Sequence, residues 1–132
     1  EKAIEVLKKS LEVREDPAAY LGLAGNYMRL GDFERGAAAY RKVFELKPDT
    51  PDVMVLFGIE LMNRGKRREA LDTFKKSLAL KSTNGVAIFN AGILSAKLGE
   101  RDNALLYLEM LRPIRPDLAR TLNRCLRLRI WG

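Results

Sequence analysis

Histidine is absent from this chain, and cysteine occurs once, at Cys125. One thiol cannot close a disulfide within the chain, and zinc or iron sites usually draw on several His or Cys. An imidazole base is excluded as well, and with it every Ser-His or Cys-His nucleophile pair. No apolar run approaches the ~18 residues of a membrane-spanning helix. No secretory leader is visible, because the opening EKAIEVLKKS is charged and amphipathic. The chain also starts without Met and inside a helical pattern, so it is read as an excised piece or a processed product. No glycine-rich phosphate loop precedes a helix: LGLAG, residues 21–25, sits within a helical pattern and follows no strand. Carboxylate pairs such as Glu5/Glu12 and Glu100/Asp102 have no cleft signal beside them and read as solvated surface. The expectation is a protein without catalytic residues, metal or cofactor.

What is present is a globular balance, 47% apolar and 31% charged, which sets the chain apart from disordered sequences. Its 132 residues suffice for one domain of ordinary size. The expectation is a soluble domain, with a cytoplasmic setting favoured. The net charge of +7 favours acidic partners, nucleic acid among them.

Sliding the chain along itself by 34 residues brings Gly31, Gly65 and Gly99 onto one another. Gly36, Ala70 and Ala104 coincide too, as do Ala24, Gly58 and Gly92. Large apolar positions follow in phase: Tyr20, Met54, Ile88 and Leu122, then Tyr40, Phe74 and Leu108. Columns that recur in phase point to a repeat architecture. Each unit opens with about three turns of apolar residues three or four apart, as in AYLGLAGNYMRL, and this is helical spacing. A glycine closes that helix, and a second amphipathic segment such as FERGAAAYRKVFEL follows. Asp16-Pro17 and Thr50-Pro51 carry the signal of an N-cap followed by proline at the first helical position. Pro113 predicts an early end, near Leu111, for the second helix of the third unit. The small columns mark the closest helix approaches.

This pattern resembles the tetratricopeptide repeat, through Tyr20, Leu23, Ala24, Tyr27, Gly31, Phe33, Tyr40 and Pro48 of the first unit. The resemblance implies an all-α fold, a right-handed α-α superhelix of antiparallel helix pairs, in one domain over 1–132. Units would span 17–50, 51–84 and 85–118. Residues 1–16 would be the second helix of a preceding unit, and 117–131 a C-terminal capping helix. Later units depart from the pattern: Arg67 and Arg101 stand where Phe33 does, and Ser95 and Arg129 where Tyr27 does.

The resemblance also implies a concave groove lined by the first helix of each unit. Its contact positions fall on Leu21, Gly25, Met28 and Arg29 in the first unit, with Ala18. In the second they fall on Val55, Ile59, Met62 and Asn63, with Asp52; in the third on Phe89, Ile93 and Lys97, with Val86 and Ala96. The last helix adds Arg120, Asn123 and Arg127, then Ile130 and Trp131. Leu21, Met28, Val55, Ile59, Met62, Phe89 and Ile93 would form an apolar patch, and such a patch marks an interaction site. The expected role is a non-catalytic scaffold or chaperone-like adaptor that takes an apolar or amphipathic peptide or helix. An acidic end on that partner would meet Arg120 and Arg127. Alternatively, the groove is filled by the protein's own chain or by another copy. Some family members grip an acidic C-terminal peptide with a cationic clamp. Those positions here read Leu21, Gly25, Leu56, Val86 and Asn90, and the cations are missing. Binding of nucleic acid through the arginines of the last helix is the remaining alternative, with Trp131 near Arg127 and Arg129 as its only aromatic–cation cluster. Cys125 falls on the packed face, as a small hydrophobe.

Overall fold

The computed structural model describes residues 2–13 and 15–129, without the side chains of 9–13. Among them are eight α-helices and no strand: α1 (Lys2–Val13), α2 (Pro17–Arg29), α3 (Phe33–Leu46), α4 (Pro51–Asn63), α5 (Arg67–Leu80), α6 (Gly85–Lys97), α7 (Arg101–Leu111) and α8 (Pro116–Leu128). They group into two compact units, Glu1–Thr50 and Pro51–Gly132.

Local chemistry places the helix ends. Gly31, Gly65 and Gly99 adopt left-handed φ of 78°, 75° and 81°, a conformation that costs a side-chain-bearing residue roughly 1–2 kcal/mol. Around each, the same pair of backbone bonds forms. The N–H of Gly31 donates to the Met28 carbonyl at 3.1 Å, and that of Asp32 to the Tyr27 carbonyl at 2.9 Å. Gly65 and Lys66 repeat this onto Met62 and Leu61, and Gly99 and Glu100 onto Ala96 and Ser95. These crossed bonds satisfy carbonyls that a helix end leaves open. Asp16, Asp32 and Asn84 cap α2, α3 and α6 by accepting from Ala18, Arg35 and Ala87 N–H groups. Thr50 does something else: its hydroxyl donates to the Lys47 carbonyl at 3.2 Å and braces the turn before Pro51. Pro113 has no N–H to continue the ladder, so α7 stops at Leu111 after 11 residues, against 14 in α3 and α5.

In the first unit, α1 and α3 pack on α2, closing Leu23, Ala24, Tyr27, Phe33, Tyr40 and Val43 away from water. Tyr20 is only half-buried, and Lys42 stands over its ring with Nζ 6.0 Å from the centroid. That ammonium also pairs with Glu15 at 3.3 Å and Glu45 at 3.5 Å. In the second unit, α4 pairs with α5 and α6 with α7, while α6 also packs on α5 and on α8. Phe74, Leu61, Leu71, Ile88, Leu94, Leu111 and Leu122 form its fully closed core. The small columns do what their recurrence predicted. A Cβ on Gly92 would stand 2.7 Å from Leu122 Cδ2.

Departures from the repeat have visible consequences. Arg67 and Arg101 are exposed where Phe33 is buried. Ser95 is wholly buried in the column of Tyr27 and Leu61, and its hydroxyl has no partner. Glu100 is not free surface charge. It accepts from Arg68 at 2.6 Å and from Asn103 at 3.1 Å, tying the first turn of α5 to the turn before α7. The Arg68 hydrogen bond, seconded by Asn103, holds its carboxyl below the ordinary range.

Candidate functional site

In the first unit, the side chains expected to contact a ligand sit on α2. Leu21 is half-buried, and a Cβ on Gly25 would meet nothing within 4 Å, so that side of the helix is open. Met28 is partly spent elsewhere: its tip packs on Gly36 of α3, where a Cβ would come 2.9 Å from Met28 Cε. Arg29 is exposed and donates to Asn26 one turn earlier.

In the second unit, the expected positions divide by depth. Val55 and Ile93 are each only 7% exposed and belong to the core. Ile59, Met62, Phe89 and Lys97 are half-buried, and Asn63 is exposed. The structure therefore does not leave these apolar side chains as one open patch; two are closed and the others are rimmed. On α8, Arg120 and Arg127 are exposed and Asn123 is half-buried. Ile130 and Trp131 lie outside the described residues. Cys125 is half-buried, less enclosed than a packed-face position implies.

Two apolar side chains on these first helices are open, one of them at an expected contact position and one not. Leu56 on α4 is 49% exposed and Val86 on α6 is 40% exposed. Leu56 had been absent from the expected contact set. The signal that locates it is helical geometry. Residues spaced i, i+4 and i+7 share one stripe, here Asp52, Leu56 and Ile59 on α4 and Val86, Asn90 and Ile93 on α6. Stepping 34 residues on gives Arg120, Arg124 and Arg127 on α8. These positions thus hold no cation on α4 or α6 and three on α8.

Charge on α8 is one-sided. Its single acid, Asp117, takes both ends of the Arg115 guanidinium, at 3.1 and 2.9 Å. That bond, helped by the Leu118 N–H, lowers the Asp117 carboxyl to about 2. Among the described residues, Arg120, Arg124 and Arg127 form no ion pair, so three guanidiniums face water along one side of the helix.

Comparison with known proteins places this geometry. Residues 17–50 match the family model described as tetratricopeptide repeat. The chain is 25% identical over 105 residues to the BBSome complex member BBS4 of Bos taurus, a match covering 80% of this chain and 20% of that protein. It is 33% identical over 86 residues to the mitochondrial import receptor subunit TOM70 of Saccharomyces cerevisiae, covering 63% of this chain and 13% of that protein. The chain thus spans a fifth or less of the length of these two relatives. Among solved structures, YrrB, described as a TPR protein with an unusual peptide-binding site, superposes with a TM-score of 0.75. That match is 24% identical and covers 92% of this chain and 64% of that one.

Proposed function

We propose, from the match of residues 17–50 to the tetratricopeptide repeat model, that this chain is a non-catalytic protein-interaction scaffold of that family. Its fold class is the family's all-α helix-pair solenoid. We take the repeat units as 17–50, 51–84 and 85–118, with α1 and α8 as flanking half-units. The occupant is a peptide or helix with an apolar or amphipathic face, received by α4 and α6, the first helices of the units 51–84 and 85–118. One observation carries this reading. Leu56 and Val86 stand open beside half-buried Ile59, Met62 and Phe89, so apolar surface is offered along α4 and α6. Fully burying one such side chain is worth roughly 1.5–3 kcal/mol. Covering four or five of them offsets an association cost of about 4–15 kcal/mol. The two relatives, a mitochondrial import receptor subunit and a BBSome complex member, support a role in protein–protein contact. No described helix is long and apolar enough to cross a membrane.

A photoreactive residue at position 59, crosslinked in cells and followed by identification of the attached peptide, tests this reading. Loss of capture in a Leu56→Asp, Phe89→Asp variant of unchanged helicity is the expected control. Capture that survives both substitutions would refute the apolar contact.

A second reading, self-assembly, draws on α7. Leu105, Leu106 and Met110 are 40%, 63% and 38% exposed. Leu71, Asp72 and Lys76 hold these columns one unit earlier, and there Leu71 is fully buried. Light scattering of the chain and of a Leu106→Lys variant separates the readings: a dimer that the variant dissolves favours a second copy. Nucleic acid is the least supported occupant, because α8 carries no aromatic side chain for base stacking.

A further inference from the structure

Asparagine followed by glycine occurs once in the chain, at Asn84-Gly85. The other five asparagines, Asn26, Asn63, Asn90, Asn103 and Asn123, lie inside helices and precede larger residues. Asn84 stands just before α6, after the exposed turn of Lys81, Ser82 and Thr83. α2, α4 and α8 begin with Pro17, Pro51 and Pro116, which carry no N–H. α6 begins instead with Gly85, which keeps its N–H and, as the first helical residue, finds no acceptor for it within the helix. That nitrogen lies next to a side-chain amide, and glycine has no side chain to crowd its approach. We propose that Asn84 is a site of spontaneous covalent modification, where the chain converts its own asparagine to aspartate or isoaspartate, and that the stem of Arg115 latches this site. The chemistry is independent of what the first helices bind.

The Gly85 nitrogen gives its proton to water and attacks Asn84 Cγ, forming an N–Cγ bond. The Cγ–Nδ2 bond breaks, and Nδ2 leaves as ammonia with a proton taken from water. A cyclic succinimide remains. Water then adds to either ring carbonyl and breaks its bond to nitrogen. Opening at Cγ gives aspartate; opening at the main-chain carbonyl gives isoaspartate, whose backbone is one carbon longer. The fold opposes the first step. Asn84 Oδ1 accepts from the Ala87 N–H at 3.0 Å and so caps α6. The Arg115 stem lies on Gly85, where a Cβ would stand 2.5 Å from Arg115 Cγ. Asp117 holds the far end of that arginine at 3.1 and 2.9 Å. Ring closure turns the Gly85 nitrogen toward Asn84 Cγ, which undoes the cap and moves Gly85 from under the arginine. The reaction therefore runs through local opening of the first turn of α6. Its two products act differently. Aspartate keeps the cap and adds a charge that a helix N-terminus favours. Isoaspartate displaces the cap by one backbone carbon and loosens the turn that seats Ala87 and Ile88, both fully buried.

Peptide mapping by mass spectrometry on the whole chain, held at mildly alkaline pH, tests this, with isoaspartate counted by enzymatic methylation. Asn84 is expected to convert before any other asparagine, and faster in urea than in buffer. The Arg115→Ala and Asp117→Asn variants should convert at least about threefold faster than the native chain in buffer, because each frees the latch. Both side chains are exposed, and circular dichroism checks that the variants stay folded. Asn84→Ser keeps a capping oxygen without an amide to lose, and should release no ammonia over the time in which the native chain does. Earlier conversion of another asparagine, or none at Asn84 in urea, overturns the site. Folded Arg115→Ala and Asp117→Asn chains that convert at the native rate overturn the latch, as does a native chain that converts equally fast in buffer and in urea.

Discussion

The ring of Phe74 lies against the bare backbone of Gly58, so close that a Cβ there would stand 2.8 Å from it. Phe74 is wholly buried and cannot swing away. Gly58→Ala is therefore expected to destabilise the chain by about 1–3 kcal/mol through overpacking. Gly25→Ala is the control, because a Cβ there meets nothing. It is expected to be neutral or to stabilise by up to about 1 kcal/mol, since alanine is the better helix former. Urea unfolding of both variants checks the pair.

Gly65 sits at the left-handed turn between α4 and α5, with open space around it. The penalty for a side chain there is backbone strain and not crowding. Gly65→Ala should cost about 1–2 kcal/mol, and Gly65→Asn less, because asparagine tolerates this conformation. Equal costs for Ala and Asn in thermal unfolding would contradict the backbone origin.

Val55 and Leu56 are neighbours in sequence with opposite surroundings, 7% and 49% exposed. Val55→Asp places a charge in the core and should lower stability by several kcal/mol, with loss of helicity on mild heating. Leu56→Asp should leave the unfolding midpoint nearly unchanged and weaken capture of an apolar peptide. Circular dichroism melts and peptide anisotropy read the two effects separately.

Asp117 is held at about 2 by Arg115. Its folded value lies below the ordinary carboxyl value of 3.8, so the stabilisation is present above the unfolded value and is lost as pH falls through the folded one. Both side chains are about half exposed, so salt screens the effect. In Arg115→Gln the Asp117 carboxyl midpoint should rise toward 3.8, as followed by carbon-detected NMR. An unchanged midpoint would show that the backbone N–H groups hold the charge.

Some features were legible because they depend on a few neighbouring residues. The turn glycines announced themselves by recurring every 34 residues, and Pro113 announced the end of α7 by its missing N–H. Thr50 was less legible, because a hydroxyl before a helix can serve either the N-cap or the preceding turn, and the fold gives it the Lys47 carbonyl. Met28 looked like a ligand contact by register, yet Gly36, on the next helix, offers its tip a bare backbone. The clasp between Arg68 and Glu100 joins residues too far apart in sequence for any local pattern to announce it.

By itself the sequence determined the helix pairs, their spacing and the face each helix presents. Those follow from backbone conformation, capping and a period of ~3.6 residues, which act over a single turn. It did not determine depth. Val55, Leu56, Val86 and Ile93 are all apolar, but the first and last are closed and the middle two are open. Only tertiary structure decided that, because burial is set by atoms that packing brings in from elsewhere in the chain. The same holds for the charges of α8. Six arginines and one aspartate could be counted in residues 112–132, but the fold assigned that aspartate to Arg115 and left Arg120, Arg124 and Arg127 facing water.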